Sequence, residues 1–110
     1  MEKFTFVYLV AKNKREAEKI ARILVSEKLG ACCNIFKIDS IYRWKGKIEK
    51  SKEYGIFIKT KKILVEEIIK RVKKIHSYQI PCIVSFDIKK GNKDFLNWIE
   101  KTTKNNFKII

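Results

Sequence analysis

Residues 32 to 44, CCNIFKIDSIYRW, limit the possible folds more than any other stretch. Phe36, Ile38, Ser40, Tyr42 and Trp44 fall on one face of a period-two pattern. Lys37, Asp39, Ile41 and Arg43 fall on the other. Such alternation predicts a strand. A second alternating run carries Tyr54, Ile56 and Ile58, and Lys45-Gly46-Lys47 between the two is the best turn signal, so the pair reads as a hairpin. With those three residues as the loop, Trp44 faces Ile48, Arg43 faces Glu49, Ile38 faces Tyr54 and Phe36 faces Ile56. Apolar and ionic partners then both match. A two-residue loop would set Trp44 against Lys47 and Tyr42 against Glu49, a poorer match. A later turn, at residues 50 to 52, is a further alternative.

The first strand has a length problem. At ~3.3 Å per residue a strand of this length spans about 43 Å. A domain of this size has a radius of gyration of only ~13 Å, and strands average about five or six residues. The hairpin must therefore overhang its own domain. An apolar overhang needs a partner, and closed homo-oligomerisation is the economical way to supply one. The predicted contacts are Ile38, Ser40, Tyr42 and Trp44. The plainer reading makes Tyr42 and Trp44 half-buried sheet aromatics of a monomer.

The remaining pattern supplies the rest of one domain, residues 1 to 110. Residues 3 to 11, KFTFVYLVA, are apolar on both faces, as a central strand is. Lys3 before this run raises the question of a signal peptide, but no small-x-small cleavage pattern follows. A helix comes next, capped by Asn13 with Glu16 three residues on, striped by Ala17, Ile20, Ala21 and Leu24, and ended by Gly30. A second helix runs from about Lys62 to His76, with Val65, Ile68, Ile69, Val72 and Ile75 as its stripe. Pro81 opens a strand over 82 to 88, with Cys82, Val84, Phe86 and Ile88 on one face. After Gly91-Asn92 a last helix places Phe95, Trp98, Ile99 and Thr102 together. The tail from Asn105 reads as a short strand or a frayed end. The order is βαββαβ plus a C-terminal helix, an α+β, ferredoxin-like split arrangement with a long hairpin. Its helices cover one sheet face and leave the other to something else.

Charge and cysteine content then narrow the function. The net charge is +14, but only Arg15, Arg22, Arg43 and Arg71 are arginine, and the lysines are scattered without a block. A solvated lysine surface is the better account, and nucleic-acid binding is set aside. No apolar run is long enough to span a membrane. Three cysteines, Cys32, Cys33 and Cys82, without CxxC spacing fit a reducing, cytoplasmic setting better than a disulfide framework. GxGxxG, Walker A, HExxH and G-x-S-x-G are absent, the four glycines are dispersed, and no acid/base pair stands out. No catalysis is expected.

One polar constellation remains, HSYQIPC, residues 76 to 82. His76 at a helix end reads first as a cap, and Cys82 reads first as core filling. Imidazole and thiolate are also copper and zinc ligands. Two of them make only a partial site, to be completed by water, another side chain or a neighbouring subunit. Cys32 and Cys33 alternate across a strand, so they point to opposite faces and do not chelate together.

The chain resembles the CutA divalent-cation tolerance family. EKLGACCNI (27 to 35), SIYRWKGKIE (40 to 49), IFIKT (56 to 60), HSYQIPCI (76 to 83) and FLNWI (95 to 99) carry the likeness in order and spacing. The resemblance implies a ferredoxin-like homotrimer whose long hairpins pack across subunits. It also implies a role in tolerance of copper and other divalent cations, with no reaction established. No cofactor is required; copper or another divalent cation is the expected ligand, held weakly by His76 and Cys82. Cys32, but not Cys33, stands at a family position and joins that ligand set. Two departures stand out. Ser77 replaces a usual proline, and Cys82 replaces a usual glutamate, which either softens a metal site toward Cu(I) or zinc or removes it. The competing reading is a trimeric signalling or scaffold protein that binds a small anionic ligand between subunits.

Overall fold

The computed structural model describes residues 3–105. The elements are β1 (Phe4–Ala11), α1 (Lys14–Ser26), β2 (Cys32–Trp44), β3 (Lys47–Lys61), α2 (Val65–Ile75), β4 (Ile83–Asp87) and α3 (Lys93–Thr102). A single 3-10 turn, Lys62–Leu64, leads into α2. The four strands form one sheet in the order β2-β3-β1-β4, with every neighbouring pair antiparallel. This is the expected ferredoxin-like α+β arrangement with an added helix. Apart from Asn105 itself, the expectation for the tail falls outside the described residues.

The core lies between the sheet and the helices. Val7, Leu9 and Ala11 of β1 and Ile56 and Ile58 of β3 point into it. They meet Ala17, Ile20 and Leu24 of α1 and Ile68 and Val72 of α2, all fully buried. Asn13 caps α1 as expected, its Oδ1 accepting from the Glu16 amide at 2.8 Å. The end of α1 differs from expectation. The residue in the left-handed region is Lys28, at φ 59, rather than Gly30. Gly30 instead lies where Ile58 comes close, a Cβ there falling 2.7 Å from the Ile58 methyl.

The hairpin register corrects the sequence reading. Trp44 pairs with Lys47, Tyr42 with Glu49, Ile38 with Glu53 and Phe36 with Gly55. The loop is the two-residue Lys45-Gly46, both at positive φ (50 and 79). Those angles suit a tight turn that follows the strand twist, with glycine at the second position. Matching apolar and ionic side chains across the strands favours a register one residue off the observed one. Phe36 and Gly55 show what decides the matter. The Phe36 ring lies over Gly55, where an added Cβ would come within 2.5 Å of the ring.

The sheet face away from the helices is aromatic. Phe6 of β1 stacks near Phe57 (5.6 Å) and Phe86 (5.9 Å), while Phe36 lies 5.1 Å from Phe57 and 6.3 Å from Tyr8. Phe86 remains 50% exposed and Val84 46%. Beyond this patch the hairpin arm continues with every residue from Ile41 to Lys50 exposed. The Cα radius of gyration is 14.8 Å and the long axis 45 Å, larger than the ~13 Å radius of a compact chain this size.

Lys61, at the end of β3, is 1% exposed. Its ammonium donates to the Thr103 and Lys104 carbonyls (3.2 Å each) and to Asn105 Oδ1 (3.1 Å), and it pairs with Glu100 at 3.0 Å. One lysine thus satisfies carbonyls beyond the C-terminus of α3, which need partners once buried. Gly55→Ala is expected to destabilise the protein by about 1–3 kcal/mol, because Phe36 must shift within a packed aromatic row. Guanidinium denaturation followed by far-UV circular dichroism measures this; an unchanged midpoint would contradict the close approach.

Candidate functional site

Where β1 ends at Ala11, β2 and β3 run on as an arm. The chain from His76 to Cys82 crosses the gap between α2 and β4. A groove of about 770 Å³ lies between the two. Its apolar lining is Val10, Ile41, Tyr42, Trp44 and Ile80, and its polar lining is Asp39, Ser40, Glu53, Tyr78, Gln79 and Cys82.

Glu53 anchors the polar lining. It is only 6% exposed, and its Oε2 accepts a 2.5 Å hydrogen bond from the Tyr78 hydroxyl. Burial, and then the adjacent Glu53 carboxylate, push the Tyr78 phenol well above its ordinary range, so it stays a donor. Cys82 is exposed, and burial of its thiol and then the Glu53 charge shift its pKa upward. Tyr42 adds a hydroxyl that accepts from Ser51 at 3.3 Å.

His76 supports the crossing segment. Its Nε2 lies 2.7 Å from the Val10 carbonyl, and its Nδ1 accepts from the Tyr78 amide at 2.9 Å. Only the neutral ring protonated at Nε2 makes both bonds. The ring also lies 4.9 Å from the Tyr78 ring. Next to it the Ser77 amide donates to Glu16 Oε2 at 2.9 Å, and the Lys12 amide donates to Glu16 Oε1 at 3.1 Å. Burial works against the Glu16 charge, but these hydrogen bonds outweigh it and hold its pKa below the usual carboxylate range. A proline at position 77 would have no amide hydrogen to give. The departure noted in the sequence therefore adds a tie between α1 and the crossing segment.

The three residues proposed from sequence as metal ligands are not gathered into one chelate within the chain. Cys82 lines the groove. To act as a ligand, His76 would have to give up one of two backbone bonds. Cys32 sits opposite Lys59, whose ammonium is 4.0 Å from its sulfur. Lys59 pairs with Phe6, whereas the groove begins at Val10, roughly 13 Å farther along β1. Among the described residues no group of three or more His, Cys, Asp or Glu side chains could hold a metal ion. The expected contact residues follow the predicted face. Ile38 and Ser40 are half-buried, while Tyr42 and Trp44 are 42% and 39% exposed. Sequence reasoning missed Glu53 and Tyr78. With the loop read as three residues, Tyr54 rather than Glu53 lies opposite Ile38, so nothing in the pattern brings Glu53 to the Ile38 face.

The cysteines differ in a measurable way. Burial, and then the neighbouring Cys32, push the Cys33 thiol up to about 12. In native protein at pH 8, iodoacetamide is expected to leave Cys33 unmodified while the exposed Cys82 is labelled. Peptide mass spectrometry reads the order, and prior labelling of Cys33 would contradict it.

Comparison with known proteins bears on the whole chain. The family model described as CutA1 divalent ion tolerance protein matches residues 5–102. The divalent-cation tolerance protein CutA of Archaeoglobus fulgidus is 43% identical over 99 residues, covering 90% of this chain and 97% of that one. The human Protein CutA is 35% identical over 98 residues, covering 88% of this chain and 55% of its own. Among solved structures, the Archaeoglobus protein, described as periplasmic, superposes with a TM-score of 0.90 at 42% identity, covering 92% of this chain and 99% of that one. CutA1 from Oryza sativa superposes with 0.93 at 34% identity, covering 96% and 97%. Matched along nearly its full described length in both sequence and fold, this chain belongs to the CutA1 divalent ion tolerance family.

Proposed function

We propose that the chain is the subunit of a homotrimeric divalent-cation tolerance protein that holds copper or a similar cation weakly and without catalysis. The observation that carries this reading is the groove, where Cys82 and the buried Glu53 bring a thiol and a carboxylate together inside a family defined by cation tolerance. A thiol selects soft or borderline ions such as Cu(I) and zinc. The donor set from one chain is incomplete, so water or a neighbouring subunit would supply the remaining positions. His76 serves this site chiefly by fixing the crossing segment through Val10 and Tyr78. Cys32 lies too far along the sheet to join the same ion within one chain. Three free cysteines among the described residues support a reducing, cytoplasmic setting. No described helix is long and apolar enough to cross a membrane.

Assembly is supported by two surfaces that the chain leaves uncovered. One is the aromatic face around Phe86 and Val84; the other is the exposed arm with Tyr42 and Trp44. Closed symmetry would bury both without leaving a free edge. Removing residues 41–44 together with 47–50, four from each strand, sets the Lys45-Gly46 turn on the Ser40–Ser51 pair, which is of the same kind as Trp44–Lys47, and keeps the register while shortening the arm. This variant is expected to sediment as a smaller species or to lose stability. An intact, equally stable trimer would refute the role of the arm.

The metal reading is tested by titrating zinc into the wild-type protein and Cys82→Ser. Binding is expected to fall at least about tenfold in the variant, since one of few ligands is lost. The metal must displace a proton from a thiol whose pKa is raised, so below neutrality affinity is expected to drop by about tenfold per pH unit. Native mass spectrometry with added copper reports subunit number and bound metal together. Wild-type stoichiometry and affinity in Cys82→Ser would remove the proposed site.

A further inference from the structure

Along the sequence the lysines and arginines look scattered, and nucleic-acid binding is set aside on that ground. Packing of α1 beside α2 changes their distribution. Two contacts fix how these helices lie together. Glu27, just past the end of α1, takes Arg71 of α2, and Glu16, near its start, takes the Ser77 amide just beyond α2. Ala17, Ile20, Ala21 and Leu24 turn inward, so Arg15, Lys19 and Arg22 share the outer side of α1 at spacings of four and three residues. On α2, Ile68 and Val72 turn inward, and Lys70 and Lys74 stand outward, four residues apart. Lys12 lies just before α1. All six cations are exposed.

The nearby acidic residues are engaged elsewhere or turned aside. Glu27 holds Arg71, Glu67 holds Lys104, and Glu16 accepts from two backbone amides. At about 100° per residue, Glu18 lies on the side of α1 away from Glu27, and Glu66 lies about 140° round α2 from Arg71, so neither stands between the two rows. Among the described residues none of the six cations has an ion-pair partner. Like charges at such spacings repel, and here nothing neutralises them. This surface lies on the helix side of the sheet, away from the aromatic face.

We propose that the outer face of α1 and α2 binds the phosphate backbone of double-stranded DNA without reading its sequence. Helices in contact lie roughly 8–10 Å apart, so the two rows meet phosphates on either side of a B-form major groove about 12 Å wide. The narrow major groove of an A-form duplex fits them less well. Neither helix contains an aromatic residue on which a single strand could stack. Val25, exposed on α1, lies seven residues from Glu18 and shares its flank, so no apolar side chain stands among the cations to enter a lipid surface. The groove and the arm take no part, so DNA binding and metal binding can fail separately.

Fluorescence anisotropy on the intact protein, with a labelled duplex of about 20 base pairs, tests this. Binding is expected to be micromolar or tighter at about 50 mM salt and equal for unrelated sequences, with log K falling against log salt at a slope of about −4 to −5. Arg15→Gln, Lys19→Gln, Lys70→Gln and Lys74→Gln together preserve helix propensity. They should weaken binding by at least about tenfold and flatten the slope by about 3. Removing the same charge elsewhere, by Lys89→Gln, Lys90→Gln, Lys93→Gln and Lys101→Gln together, should cost less than about threefold. Duplex RNA of the same length, polyglutamate and phosphatidylglycerol vesicles should each bind more weakly than DNA. No saturable binding of DNA, equal losses in the two variants, or stronger binding of any of the other three polyanions would each overturn the proposal.

Discussion

Backbone pairing along β3 is the constraint on which the rest of the molecule depends. This one 15-residue strand pairs with β1 through eight residues and with β2 through thirteen. Where both partners are present, β3 is a buried central strand, with Ile56 and Ile58 in the core. Where β1 stops at Ala11, only β2 accompanies it and the arm leaves the domain. The groove exists because of that difference in length. The crossing segment approaches the sheet where β1 no longer fills it, and the arm forms the opposite wall. Gly55 lies near this transition, where the absence of a side chain lets Phe36 lie across the strand.

The fold was legible because its signals were long and repeated. Alternation over Cys32–Trp44, the apolar β1, and the α1 stripe of Ala17, Ile20, Ala21 and Leu24 each involve several residues that agree. The register was not legible, because only one residue separates the competing alignments. Pairing Trp44 with Ile48 and Arg43 with Glu49 matches apolar with apolar and charge with charge across the hairpin, which is what favours it from sequence. The turn geometry at Lys45-Gly46 outweighs that preference, and it leaves Trp44 and Tyr42 beside Lys47 and Glu49. An arm whose apolar residues lack apolar partners across the hairpin has surface left for contacts outside it. The observed register adds to the argument for assembly that the length of the arm already makes.

The same limit applied to the site. His76 and Cys82 were visible as residue types, but what their atoms do depends on contacts distant in sequence. Val10 fixes His76 from 66 residues away, and Glu53 fixes Tyr78 from 25. No short motif records such pairs. Ser77 is instructive in the other direction. In the sequence it is only a departure from a family pattern; seen in place, its amide gives Glu16 a partner and ties the segment to α1.

Cys82 and Glu53 can be understood together. A glutamate at position 82 would stand close to the carboxylate at 53, and two carboxylates in a partly buried groove repel unless a cation or a proton lies between them. A thiol whose pKa is raised by burial and by Glu53 is neutral at physiological pH, so the groove carries Glu53 without a second charge at that position. A thiol at position 82 therefore avoids that repulsion. The Glu53 carboxylate takes a partner in the Tyr78 hydroxyl, on a segment 25 residues away.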